Sequence, residues 1–339
     1  MKKLDKIKKF YNKYIGINLY ELIFLIIFVV FCFYDTGYTI YKPGGIVNVD
    51  TRITGDNLNE ANGSFNMAYV SAMKGKTPIY LISKIMPNWE LVKNRDVLPD
   101  NETIEDMNMQ DKLDYQEAMS NAKYVAFNKA NIKYNIDKEN YLVYYLTKQN
   151  DSNLKIGDEI ISYDNIEFKD MNSFKEYINT KKVNEKVKIK YQRNNKVLET
   201  ESTIYEKDNV KYIGISFISI LDINSDYNLK ISQKSSESGP SGGLIMSLSI
   251  YNALTKDDIT KGRKIVGTGT IDKDGNIGII GGINYKLASA VKEKADIFIC
   301  PNDNYDEVKE LVDKYNYKIK IINVSTFDET IEKLKSWKY

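Results

Sequence analysis

The sequence predicts an α/β (α+β) chain of about two folded units behind an apolar N-terminal helix. Three observations carry this: a length of 339 residues, close to twice the usual domain size of roughly 150; strand and helix signals that follow one another through most of the chain; and a lysine-rich start leading into a long apolar run. Strand and helix signals are interrupted from about Asn140 by a stretch of different character.

The N-terminal segment reads MKKLDKIKKFYNKYIGINLYELIFLIIFVVFCFYD. Ile15 to Tyr34 is broken only by Asn18 and Glu21, and at 1.5 Å per residue it reaches about 30 Å, enough for a bilayer core. Tyr11, Tyr14, Phe33 and Tyr34 sit near its ends, where amphipathic rings prefer to lie. Lys2, Lys3, Lys6, Lys8, Lys9 and Lys13 precede it, which by the positive-inside rule puts the N-terminus in the cytoplasm and everything after Asp35 outside. The competing reading is a cleaved signal peptide with Leu22 to Tyr34 as its core. No small-x-small site follows Tyr34, and Phe31 before Cys32 spoils a lipoprotein signal.

Composition removes whole classes of chemistry. The chain has no histidine, so a Ser-His-Asp triad, a Cys-His dyad and a histidine-based zinc site are excluded. Its net charge of +2 gives no electrostatic case for nucleic acid. Cys32 and Cys300 lie in apolar and strand-like runs and suggest no disulfide framework. No residues suggest a cofactor or a metal site.

After the apolar run, YKPGGIVNVDTRITGDNLNEANGS is rich in Gly and Asn and reads as an exposed linker. SFNMAYVSAM and TPIYLISKIM read as strands by their β-branched and aromatic content. KGKT between them invites a phosphate-loop reading, which fails: five residues before Gly75 stands Val70, where glycine is required. A hairpin turn is the better account, and no nucleotide loop occurs elsewhere. A helix is expected from about Ile104 to Ala130, with Met107, Leu113, Ala118, Ala122 and Ala126 on one apolar side.

In LKIGDEIISYDN, Leu154, Ile156, Ile160 and Ile161 supply core contacts, while Gly157 and Asp158 turn the chain into a strand. The run resembles the L-x-x-G-D-x-I signature of PDZ domains, and SFKEYIN, VKIKYQR and KVLETES follow where that family has its helix and strands. The resemblance implies peptide binding by addition to a sheet edge. The glycine that precedes the pairing strand in that family is missing around Tyr141 to Val143, so a spacer role stands beside peptide capture.

Residues 235–254 read SSESGPSGGLIMSLSIYNAL. Ser241 stands where small residues give way to an apolar helix. Its hydroxyl is either a cap for that helix or a nucleophile beside unpaired N–H groups that can stabilise an oxyanion. Without histidine, activation falls to a desolvated lysine, an N-terminal amine or a carboxylate. Downstream, Lys286 follows the turn GGI and leads into LASAVKEKA, where Leu287, Ala290 and Val291 form a buried side. Desolvation there lowers a lysine pKa.

GPSGG before an apolar helix, then GTGTIDKDGNIGIIGGINYK, resembles the proteolytic domain of Lon peptidases. With the PDZ-like insertion and the N-terminal segment, the likeness narrows to the Lon-like, PDZ-containing membrane serine proteases of Gram-positive bacteria. The resemblance implies Ser241 as nucleophile, Lys286 as general base and Thr268 as the hydroxyl that orients it. Backbone N–H groups of Gly239, Ser241 and Gly242 are the expected oxyanion hole. Gly242 replaces the usual alanine, and Ser238 stands where ATP-dependent Lon is acidic. No AAA+ module is present, so proteolysis is expected to be ATP-independent. A carboxyl-terminal processing protease has a much nearer lysine than the 286 − 241 = 45 residues here.

The expected organisation is therefore a basic tail (1–14), a transmembrane helix (15–34), a linker (35–63), the N-terminal part of the Lon-like domain (64–130), the inserted mainly-β PDZ domain (131–206) and the Lon proteolytic domain (207–339). The expected activity is a single-pass cell-membrane serine endopeptidase acting on exported or membrane proteins. Its expected partners are protein or peptide substrates, the membrane and a PDZ peptide ligand, without nucleotide. The rival class is a tethered PDZ scaffold with a relict protease fold.

Overall fold

The computed structural model describes residues 5–6, 10–11, 19–97, 102–234 and 237–336. They divide into two compact units, one within residues 1–43 and 71–97, the other within 44–70 and 98–339. Two long strands, Asp35–Asn48 and Ser64–Lys76, contribute to both.

The first unit opens with helix Leu19–Phe33, whose described side chains from Tyr20 onward are all exposed except half-buried Cys32. Its 15 residues reach about 22 Å, and among the described residues no helix is long and apolar enough to cross a membrane. Residues 15–18 of the expected span lie outside the described residues. Tyr38 to Tyr41 then pair antiparallel with Lys93 to Glu90.

Two local expectations are corrected here. Residues 35–63 are not simply a linker, because Asp35–Asn48 is a strand with Ile40 fully buried. The Gly44–Gly45 pair that suggested a linker instead permits close approach, since a Cβ at Gly44 would lie 2.4 Å from the Tyr69 ring. TPIYLISKIM is not a strand: Thr77–Ser83 is helical. Pro78 falls in the first turn, where its fixed φ suits a helix start and its missing N–H costs nothing.

In the second unit, parallel strands run in the order Lys320–Val324, Ile297–Pro301, Lys264–Gly267 and the first half of Ser64–Lys76. The register Ile265↔Phe65 and Val266↔Asn66 joins chain segments that flank the PDZ-like stretch. Helix Ile104–Lys129 begins at a Thr103–Asp106 capping box and buries Leu113, Ala118, Ala122 and Ala126. Ala118, Ala122 and Ala126 share one core with Leu244, Ile245 and Leu248 of helix Gly243–Leu254, which is buried along nearly its whole length.

The inserted module is an antiparallel sheet in the order Ile215–Asn224, Asn135–Leu146, Glu159–Tyr163, Lys186–Arg193, Lys196–Thr203. Helix Met171–Thr180 is capped by Asp170, and the module has its own core, including Val143, Leu154, Phe174 and Ile189. Gly157 takes a left-handed φ of +91° at the expected turn, and Asp158 is buried against Arg193, whose Nε and one terminal nitrogen each donate at 2.6 Å. The module does not close at residue 206. Ile215–Asn224 pairs along Asn135–Leu146 from Ile215↔Leu146 to Asn224↔Asn135, a partnership that local sequence does not encode.

Candidate active site

Ser241 precedes helix Gly243–Leu254 and does not cap it. The N-cap is Gly242, with no side-chain cap hydrogen bond, so the bland reading of that hydroxyl fails. Its loop is held from two sides. The Gly239 N–H donates to the Asp111 carbonyl at 2.7 Å, and the Ser241 carbonyl accepts from the Gly269 N–H at 2.8 Å and from the Thr268 hydroxyl at 3.0 Å.

Thr268 directly follows strand Lys264–Gly267 and is fully buried. Lys286 lies in the first turns of helix Ile283–Lys292, which Gly282 opens with a left-handed φ of +67°. With Leu287 and Ala290 buried beside it, Lys286 is only 4% exposed. Burial without a compensating charge pulls its pKa down from 10.5 to about 8.

The Lys286 amine donates to the Thr268 hydroxyl at 3.1 Å. A threonine hydroxyl has one proton, and here that proton is committed to the Ser241 carbonyl. Thr268 can therefore only accept from the amine, which leaves the lone pair of a neutral Lys286 unspent. Among the described residues the Ser241 hydroxyl has no hydrogen-bond partner, so the bridge between the two residues runs through Thr268.

Residues 232–336 match the model of the Lon protease (S16) C-terminal proteolytic domain, and residues 142–204 that of the PDZ domain. The chain carries a Lon proteolytic domain and a PDZ domain. It is 27% identical over 134 residues to the Lon protease of Aster yellows witches'-broom phytoplasma, covering 36% of this chain and 17% of that protein. It is 30% identical over 94 residues to the Lon protease of Trichlorobacter lovleyi and 33% over 94 to that of Azospirillum brasilense, in each case 28% of this chain and 11% of the relative. The PDZ domain of an SdrC-like protein from Listeria monocytogenes is 27% identical over 25% of this chain and 93% of its own, with a TM-score of 0.23. The corresponding domain from Listeria innocua is 35% identical over 22% and 92%, with a TM-score of 0.20.

Within the Lon domain, Gly239 spends its N–H on Asp111, whereas the N–H groups of Ser241 and Gly242 meet no acceptor among the described residues. A Cβ on Gly242 would sit 2.0 Å from the Met67 sulfur, so a side chain here requires the Met67 thioether to move. Neither Asp111 nor Met67 carries a sequence signal, because each acts through a contact far along the chain. Cys300, though near the same core, is inert, its thiol pushed up to about 12 by burial.

In the PDZ domain a glycine stands before the outermost strand of the sheet rather than around Tyr141 to Val143. Gly214, with φ +72°, precedes the edge strand Ile215–Asn224, and the overlooked signal was YIGI at residues 212–215. Helix Ile104–Lys129 covers the far part of that edge, where the Ser120 hydroxyl and Leu221 exchange hydrogen bonds of 3.1 and 3.0 Å. Ser216 to Ser219 line a cavity of about 600 Å³ with Tyr141, Glu139 and Met171 and with Asp114 and Glu117 of the same helix.

Proposed function

We propose that the chain is a membrane-anchored, ATP-independent serine endopeptidase that cleaves exported or membrane proteins with a Ser241–Lys286 dyad. Neutral Lys286 takes the proton of the Ser241 hydroxyl as it attacks the scissile carbonyl. The amine then returns that proton to the leaving nitrogen, and water releases the acyl group. Thr268 holds the amine with its lone pair free, and the N–H groups of Ser241 and Gly242 receive the oxyanion. The observation that carries the reading is the buried Lys286 amine held 3.1 Å from the Thr268 hydroxyl, where burial without a partner charge pulls its pKa down to about 8.

The apolar helix Leu19–Phe33 and the lysines before it support a single-pass cell-membrane location with a cytoplasmic N-terminus. The Gly214-led edge supports capture of an extended peptide at Ser216 to Ser219. The scaffold reading keeps one observation in its favour, the unpartnered Ser241 hydroxyl. A serine-acylating activity probe separates the two. Labelling of the full chain that disappears in both Ser241→Ala and Lys286→Ala, with folding retained, supports the peptidase. A folded wild type that never labels supports the scaffold.

A further inference from the structure

The first unit exposes a second apolar surface at the foot of helix Leu19–Phe33. The short helix Thr77–Ser83 starts against the end of that apolar helix: the Thr77 N–H and hydroxyl donate to the Tyr34 carbonyl at 3.1 and 3.4 Å. From it and the turn beyond, Leu81, Ile82, Ile85 and Met86 stand in solvent, Ile85 at 82% exposure. The Lys76 amine lies 4.7 Å from the Phe33 ring, the Lys84 amine 4.5 Å from that of Tyr80, and Tyr80 packs on Tyr38 at 5.3 Å.

An exposed apolar cluster marks a surface that something covers. What covers this one follows from its neighbour, because a helix that is apolar on all sides from Leu22 to Phe33 and exposed along nearly all of that length is built for lipid. Rings and lysines gathered at its end are the composition of a membrane–water boundary. We propose that Leu81, Ile82, Ile85 and Met86 bed into the headgroup–acyl boundary of the leaflet where the apolar helix emerges, with Lys76 and Lys84 reaching the lipid phosphates. A single spanning helix leaves its unit free to spin and tilt; a second contact removes that freedom. The inference rests on the proposed membrane anchoring.

The test uses the full chain in phosphatidylcholine–phosphatidylglycerol vesicles, in a C32S/C300S background. An environment-sensitive fluorophore is placed on Ile85→Cys and, separately, on Ile26→Cys within the apolar helix. Blue-shifted emission at position 85 that shallow nitroxide lipids quench more than deep ones, with position 26 quenched by deep ones, is the expected result. Water-like emission at position 85 while position 26 stays deep overturns the second contact and leaves the anchor standing. Water-like emission at both overturns the anchor and this inference together. Blue-shifted emission at position 85 that no lipid-borne quencher reaches also overturns it, in favour of contact with a second copy of the chain.

Discussion

At the scale of single residues, the proposed chemistry rests on Lys286. Its amine must be neutral to act as a base, so acylation of Ser241 should rise with pH and level off above about 8. Stopped-assay labelling rates across that range check this, and a profile still climbing toward pH 10.5 would place the amine in water. The same burial has a stability consequence of definite sign. Because the folded pKa lies below the unfolded one, the unfolded chain holds a proton between pH 8 and 10.5 that the native state has lost, and stability rises with pH through that window. Below it the native state carries the full penalty, about 3 kcal/mol for the drop from 10.5 to about 8. Lys286→Met should therefore raise the melting temperature at pH 7 while abolishing labelling, and the gain should fade toward pH 10.5.

Glycines and turns set the site at the scale of elements. Gly242→Ala forces a methyl against the Met67 sulfur, and overpacking of this kind costs about 1–3 kcal/mol. Calorimetry should find that cost, and the Met67→Ala, Gly242→Ala double variant should recover part of it. In the PDZ turn, Asp158→Ala leaves the Arg193 guanidinium without its carboxylate. The Arg193 side chain is 25% exposed, so the loss is about 2 kcal/mol, short of the value for a fully buried pair. Faster amide exchange in Glu159–Tyr163 would report it. Element-level reading succeeded where a pattern is local, as in Ile104–Lys129 or the Gly157–Asp158 turn. It failed at Thr77–Ser83, where β-branched content outweighed the one proline that marks a helix start.

For the molecule as a whole, one helix serves both domains of the second unit. Ile104–Lys129 donates from Gln110 to the Tyr144 carbonyl at 3.2 Å, meets Leu221 through Ser120, and holds the loop before Ser241 through the Asp111 carbonyl. Lys273, in the hairpin that follows Thr268, ties the PDZ sheet by bonds to Glu139 at 2.6 Å and Ser219 at 3.1 Å. Lys273→Ala should raise amide exchange in Thr270–Ile271 and around Ser219 together, since both ends of the tie are released. Exchange confined to one side would show that the hairpin and sheet hold independently.

The sequence by itself determined which chemistry was available. The absence of histidine left a lysine, an N-terminal amine or a carboxylate to activate a serine in GPSGG, the Lon resemblance pointed to the lysine just before LASAVKEKA, and the run from Leu154 to Asn165 announced the PDZ domain. Only the tertiary structure decided that the Thr268 hydroxyl spends its proton on the Ser241 carbonyl, that the Gly239 N–H is taken by Asp111, and that Asp35–Asn48 and Ile215–Asn224 are sheet strands. The reason is that motifs and helix periodicity are written in neighbouring residues, whereas a strand's partner and a hydroxyl's acceptor are chosen by segments far away along the chain.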